Sequence, residues 1–363
     1  MSAFKININL VENSKIDTID FDNIKFGSVN TDHMFMVEYK NGEWQDGEIK
    51  PFGPIPLSPG TSALHYGQSI FEGMRCQKSK NGEEILLFRP EENWERLNKS
   101  AKRMCMPEIP EHIFNQGLET LLKVDHQWIP TREGSGLYIR PFYFASDDFL
   151  GVKDSDDYIF IIYCCPVNAY YSQPLRVWTE QHYSRSAKQG GLGFAKCAGN
   201  YAGSMYPAKM AKLQGYDQVM WTDAERHSLI EETGTTNVFA QIGGITVTPA
   251  LSDSILPGIT RKSIISMLKD EGHVVEEREL SIQELVEAHE SGMLKEMWAS
   301  GTAATVVNIK GFAYEGKDYE VPLPKDGMKA KILKTLVDLK RGRGEDKFNW
   351  MKKIAIPNAG QSS

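Results

Sequence analysis

Apolar and polar positions along the 363-residue chain alternate between two kinds of run. HMFMVEY at 33–39, EILLFR at 84–89, GLYIRPFYF at 136–144 and YIFIIYCC at 158–165 are short and dense in β-branched and aromatic residues, so they predict strands. The stretches near 91–105 and 110–124 predict helices; in the first, Trp94, Leu97, Ala101 and Met104 form an apolar stripe at helical spacing. The first half therefore predicts an α+β arrangement. PVNAYYSQPL, residues 166–175, then breaks the pattern with two prolines and small polar residues after a complete buried strand. Beyond it come DQVMWTD, SLIEET, NVFAQIGGITVTP and EMWASGTAATVVNI, with helical stretches near 200–213, 260–271 and 281–289. The tail from Arg341, RGRGEDKFNW, reads as peripheral. At roughly 150 residues per domain, the length suggests two domains: a small α+β domain at 1–166, a linker at 167–175 and a larger domain at 176–363.

Composition narrows the class. Hydrophobic residues are 41% and charged residues 25%, near globular averages, which argues against disorder, collagen and coiled coil. The net charge of −7 supplies no basic field, so nucleic acid is not expected as a partner. The longest apolar run, Tyr158 to Val167, is about half the roughly 20 residues of a membrane helix, and MSAFKININLVENS has no basic segment followed by an apolar one. A cytoplasmic protein with no membrane span is expected. Five cysteines, odd in number and without a C-x-x-C pair, read as small buried hydrophobes in a reducing compartment. The eight histidines are scattered, and no metal site is expected.

Several stretches could carry chemistry. QGGLGFAK, residues 189–196, crowds three glycines before Lys196. Its spacing does not fit a phosphate loop, which leaves either a flexible loop with a solvated lysine or a backbone wall ending in a reactive amine. LPGITRKSI, 256–264, predicts a turn and a helix start whose Ile259 and Thr260 amides face any nearby anion, although every capped helix offers the same. ASGTAA, 299–304, is either a small-anion dock or a tight turn. In IEETGTTN, 230–237, a carboxylate could accept from a protonated ring nitrogen, but adjacent acids in a turn are usually solvated. Arg96 points away from its helix's apolar stripe and reads as solvent-facing. Arg140 shares its strand face with Tyr138, and a buried arginine there would want an anion.

The order of these segments resembles one family, the branched-chain amino-acid aminotransferases, pyridoxal-phosphate enzymes of fold type IV. FGSVNTDHM at 26–34, ALHYGQSIFEGMR at 63–75, FRPEENWERL, GLYIRPF, GGLGFAKCAGNY, EETGTTNVF, LPGITRKSI and SGTAA run collinearly across nearly the whole chain. The resemblance is to the longer form of the family. The C-x-x-C that some members carry after S-G-T-A is replaced by ATVV at 304–307, which puts thiol redox control there in doubt.

The resemblance implies a two-domain α/β and α+β fold, like that of D-amino-acid aminotransferase, with pyridoxal 5'-phosphate between the domains and mostly on the second. It implies that Lys196 holds the cofactor covalently and then shuttles the proton at the substrate Cα. Glu232 would face the pyridine nitrogen and Tyr201 the phenolate oxygen. Ile259, Thr260, Thr302 and Arg96 would hold the phosphate. The substrate carboxylate would meet Thr302, Ala303 and Tyr66, within an apolar pocket of Phe26, Phe71, Tyr138, Tyr170 and Thr235. Arg140, with Tyr66 and Tyr138, would take the side-chain carboxylate of glutamate. A homodimer is implied, with Leu150 and Val152 of the FLGV loop serving the partner's pocket. The expected reaction is a ping-pong transfer from L-leucine, L-isoleucine or L-valine to 2-oxoglutarate, giving the branched 2-oxo acid and L-glutamate. A D-amino-acid aminotransferase or aminodeoxychorismate lyase of the same fold is the alternative, against which GLYIRPF and FEGMR speak. A nucleotide-binding protein is disfavoured by the glycine spacing, and a non-catalytic binding module by the presence of every polar position that the chemistry needs.

Overall fold

The computed structural model describes residues 4–168, 173–303 and 305–357. Its residues cluster into two compact units, Met1–Tyr170 with Lys196–Ala198 and Asp338–Ser363, and Tyr171–Ala195 with Gly199–Val337. The division differs from the sequence reading at both insertions, since Lys196–Ala198 and the C-terminal stretch join the first unit. Hydrogen bonding is the reason for the second difference. Met351–Ala355 pairs antiparallel with Glu84–Phe88, so the tail expected to be peripheral forms an outer strand of the first sheet.

That sheet runs in the order Ile6–Ile8, Gly47–Pro51, His33–Lys40, Tyr158–Val167, Gly136–Ala145, Met74–Lys78, Glu84–Phe88, Met351–Ala355. Its centre is the ten-residue antiparallel pair of Gly136–Ala145 and Tyr158–Val167, both mostly buried, as near-continuous apolar runs require. Helix Glu111–Val124 packs on this sheet through its apolar face. Helix Pro90–Arg103 begins with proline in its first turn, carries Glu91 and Glu92 there, and ends on Lys102 and Arg103, an order that complements the helix dipole. Leu97 and Ala101 of its stripe are fully buried.

The second unit holds a mixed sheet in the order Ile230–Thr233, Gln218–Thr222, Leu175–Thr179, Thr305–Tyr314, Leu294–Gly301, Asn237–Ile242, Ile245–Pro249, Val275–Arg278. GG at 243–244 turns one hairpin with both residues at positive φ, and the ASGTAA stretch leads into the turn of another. Helix Ile282–Glu290 starts on a capping Ser281 whose Oγ accepts from Glu284 N at 3.0 Å. Its apolar face joins Val238, Met297, Ile309 and Phe312 in the core of this unit. Helix Met328–Lys340, which the sequence reading did not pick out, follows in the same half of the chain. Among the described residues no helix is long and apolar enough to cross a membrane. All five cysteines are free, and Cys105 departs from expectation in being exposed.

Candidate active site

In the first unit, two backbone bonds set the position of Lys196. Its carbonyl accepts from Phe71 N at 3.0 Å, and its N–H donates to Ser100 Oγ at 2.9 Å. Ser100 in turn donates to the Arg96 carbonyl one turn back in helix Pro90–Arg103. Cys197 bridges Ile70 next door. The lysine backbone is therefore stapled between a strand and a helix, and the flexible-loop alternative is excluded.

The Lys196 ammonium lies 4.9 Å from the centre of the Phe71 ring, and the Arg140 guanidinium lies 4.6 Å from the same ring. Arg140 also stacks on Tyr138 at 5.5 Å and donates to its hydroxyl at 3.4 Å. Phe26 meets Tyr138 edge-on at 5.0 Å. Lys196, Phe71, Arg140, Tyr138 and Phe26 thus form one continuous set, as strand alternation placed Tyr138 and Arg140 on one face. Tyr66 ends the short helix Ser62–Tyr66 and is half exposed. Leu150 and Val152 project into solvent at 70% and 89% exposure, on a loop fixed at its base by Ser62 N to Asp147 O and Phe149 N to Gly60 O. Tyr170 lies outside the described residues.

Arg96 corrects the sequence reading. It is 6% exposed, and it grips Glu72 with two parallel bonds, Nε to Oε1 at 2.7 Å and Nη2 to Oε2 at 2.8 Å. Glu72 is fully buried and also accepts from Asn93 Nδ2 at 2.7 Å and from Gly73 N at 3.1 Å. Burial pushes its carboxyl up, but the Arg96 guanidinium, with help from the Lys196 ammonium, outweighs that and holds it below the ordinary glutamate range. Glu72 was overlooked because its partner stands 24 residues away, although an acid inside the apolar segment SIFEGM is itself a signal of a buried counter-ion.

The second unit corrects the reading of Glu231 and Glu232 as a solvated pair. Both are buried. Glu231 accepts from the Ser254 hydroxyl, and burial pushes its carboxyl up, only partly offset by that bond. Glu232 pairs with Arg185, while its Oε1 accepts from Asn237 Nδ2 at 3.1 Å and Leu256 N at 3.0 Å. Arg185 Nη2 donates to the Ser254 carbonyl at 2.6 Å. Neither Arg185 nor Asn237 was singled out from the sequence, since each reaches Glu232 from a separate segment.

Asn237 also donates to the Leu256 carbonyl at 2.9 Å, which ties the acid to the segment entering helix Ile259–Asp270. No side chain caps that helix: Gly258 occupies the cap position, where a Cβ would overlap Asn237 Oδ1. Ile259 and Thr260 are buried first-turn residues. Asn237 is paired in the sheet with Ser300, and Thr302 and Ala303 follow in the hairpin turn. Thr235 is exposed in the turn before Asn237. Glu232, Thr235, the bare helix start and Thr302–Ala303 therefore converge at one end of this sheet. Tyr201 sits half-buried in the first turn of helix Ala198–Leu213.

The glycines before Lys196 serve the chain itself. A Cβ at Gly193 would overlap the Ser254 backbone, and Phe194 N donates to Asp253 O at 3.0 Å. Leu192 N and Gly193 N donate to Ser186 Oγ, and Asn200 Nδ2 closes the loop onto the Leu192 and Ala195 carbonyls. Close backbone packing explains Gly193 against Ser254 and Gly191 against Ala187, while Gly190 supplies a positive φ of 72°.

The sequence profile of the class IV amino-transferases matches residues 69–312. A probable branched-chain-amino-acid aminotransferase of Staphylococcus epidermidis is 42% identical over 344 residues, covering 93% of this chain and 95% of the relative. The crystal structure of the Escherichia coli branched-chain amino acid aminotransferase superposes with a TM-score of 0.70 at 27% identity, covering 88% of this chain and 99% of the other. The Thermobaculum terrenum enzyme of the same name, solved in its pyridoxal-phosphate form, shares the fold with a TM-score of 0.71 at 20% identity, covering 90% and 99%. The sequence motifs, the fold and these relatives agree, and the chain belongs to the class IV aminotransferases, in the branched-chain-amino-acid aminotransferase family.

Proposed function

We propose that this chain uses pyridoxal 5'-phosphate to move the amino group of L-leucine, L-isoleucine or L-valine to 2-oxoglutarate. The observation that carries the proposal is the Glu232 carboxylate, anchored by Asn237 and Leu256 beside an uncapped, buried helix start. A buried acid at one point and bare amides at another are the donor set that a cationic ring bearing a phosphate requires. The relatives named above act in the same family, and the Thermobaculum neighbour holds this cofactor.

When bound, the cofactor supplies an aldehyde carbon that receives the amino group and a protonated ring that takes up the electrons left at the substrate Cα. The Lys196 amine would hold it covalently and, once displaced by the substrate, move the proton at Cα. Glu232 would keep a proton on the ring nitrogen, with Arg185 and Asn237 orienting the acid, and Tyr201 would donate to the phenolate oxygen. Ile259, Thr260, Thr302 and Arg96 would bind the phosphate, Arg96 being aimed by Glu72. Phe26, Phe71, Tyr138, Tyr170 and Thr235 would form the apolar wall, where each buried methylene contributes about 0.8 kcal/mol. Thr302, Ala303 and Tyr66 would take the α-carboxylate. Arg140, lying on Phe71 and Tyr138, would meet the second carboxylate of glutamate, so one pocket accepts both substrate classes. The exposure of Leu150 and Val152 supports their service to a partner subunit's pocket in a homodimer. We place the protein in the cytoplasm, as its free cysteines favour.

Glutamate formation from leucine and 2-oxoglutarate tests the reading. The wild type should turn over, and Lys196→Ala should fall by about 10⁴-fold or more. Borohydride treatment should fix the cofactor mass on the peptide carrying Lys196. Turnover of D-alanine in place of L-leucine, or a mass fixed on another lysine, would overturn it.

A further inference from the structure

Away from the residues described above, the first unit contains a cavity of about 300 Å³. The N-terminal arm forms one side of it through Phe21 and Asp22, and Ile129 and Pro130 form an apolar floor. Lys78, the last residue of strand Met74–Lys78, lines it with Arg132. Glu72 lies six residues before Lys78, just ahead of the same strand, so at about 3.3 Å per residue the cavity is on the order of 20 Å from the Glu72–Lys196 region. The volume is at the lower end of small-molecule sites.

The charges lining this cavity are uneven. Among the described residues the Lys78 ammonium has no hydrogen-bond or ion-pair partner, whereas the neighbouring Arg75 donates to Gly134 O. Arg132 pairs with Asp22 at 2.5 Å, but both are mostly exposed, and such a pair holds its members weakly. The guanidinium can therefore turn toward an incoming anion at little cost. Partial burial pushes the Lys78 ammonium down from the ordinary lysine range, against a smaller upward pull from Cys76. The apolar floor makes a multiply charged ion a poor occupant, because its desolvation would go unanswered beside Phe21 and Pro130. A single carboxylate on a short aliphatic body matches both features.

We propose that this cavity is a second ligand site, which binds a small aliphatic monocarboxylate with its charge on Lys78 and Arg132 and its hydrocarbon against Phe21, Ile129 and Pro130. The occupant clasps the N-terminal arm, which Asn168 Nδ2 already holds through the Phe21 and Asp22 carbonyls at 3.2 and 3.3 Å. The site is independent of the reaction assigned above.

Trace acetylation of the holoenzyme, followed by peptide mass mapping, reads Lys78 directly, with exposed Lys80 as the internal reference. Saturating 4-methylpentanoate should slow Lys78 labelling at least tenfold and leave Lys80 unchanged, while acetate and inorganic phosphate should protect little. Equilibrium dialysis should count one fewer bound 4-methylpentanoate per chain in Lys78→Met than in the wild type. That difference of one stands whether or not the carboxylate also occupies the aminotransferase site, so the two readings fail separately. Unprotected Lys78, equal protection by all three anions, or an unchanged count in Lys78→Met would overturn the proposal.

Discussion

Each unit buries an arginine–glutamate pair backed by an asparagine, and the two pairs are wired in opposite senses. In the first, Glu72 is saturated by Arg96, Asn93 and the Gly73 amide, so the acid is a fixture that aims the guanidinium. In the second, Arg185, Asn237 and the Leu256 amide surround Glu232, and Arg185 is itself anchored on the Ser254 carbonyl. There the arginine is the fixture and the acid is what it positions. Buried pairs need not add net stability, because desolvation offsets their attraction. Under the proposed function, the first pair would present a cation, Arg96, and the second an anion, Glu232.

The largest expected effect follows from breaking the first pair. Glu72→Leu leaves Arg96 buried without its counter-ion and should cost about 3–5 kcal/mol, read as a fall in the urea midpoint. Adding Arg96→Met should recover much of that stability without recovering activity. An unchanged midpoint in the single variant would mean that the pair is not buried as described.

Glu232→Gln keeps an amide in place of the acid and should lower kcat by about 10²-fold, with a smaller loss of stability than Glu72→Leu. Equal stability losses with full turnover would erase the contrast between the pairs. The asparagines sharpen it further. Asn93→Leu and Asn237→Leu should each cost about 1–3 kcal/mol, but the Asn237 change should slow turnover much more.

The smallest effect is on pH dependence. Glu72 is held below the ordinary glutamate range, so its contribution is present above that range and is lost as pH falls through its folded value. Glu231 is pushed up by burial, so stability instead declines as pH rises from the ordinary range through its raised value. Urea midpoints against pH should therefore lose part of their acid slope in Glu72→Gln and show a flatter rise-side slope in Glu231→Gln, each change at most about 1.4 kcal/mol per pH unit.

Much of the architecture was legible because it rests on local periodicity. The helices near 91–105, 110–124, 260–271 and 281–289 appear as Pro90–Arg103, Glu111–Val124, Ile259–Asp270 and Ile282–Glu290, and the four early strands lie where their apolar runs stand. Met351–Ala355 was not legible, because MKKIA is short, carries two lysines in five residues and becomes a strand only through the Glu84–Phe88 edge. Arg96 was misread for a related reason. A helical stripe says which side chains face the main core, but not that the opposite face meets a buried acid from another segment.

The sequence by itself determined most of the element types and the collinear motifs, and with them the family, since hydrophobic period and motif order are properties of neighbours along the chain. Only the tertiary structure decided the electrostatics and the close packing: that Glu72 holds Arg96, that Arg185 and Asn237 hold Glu232, and that Gly193 packs on Ser254. A buried charge is stable only with its partner, and those partners come from segments that folding brings together.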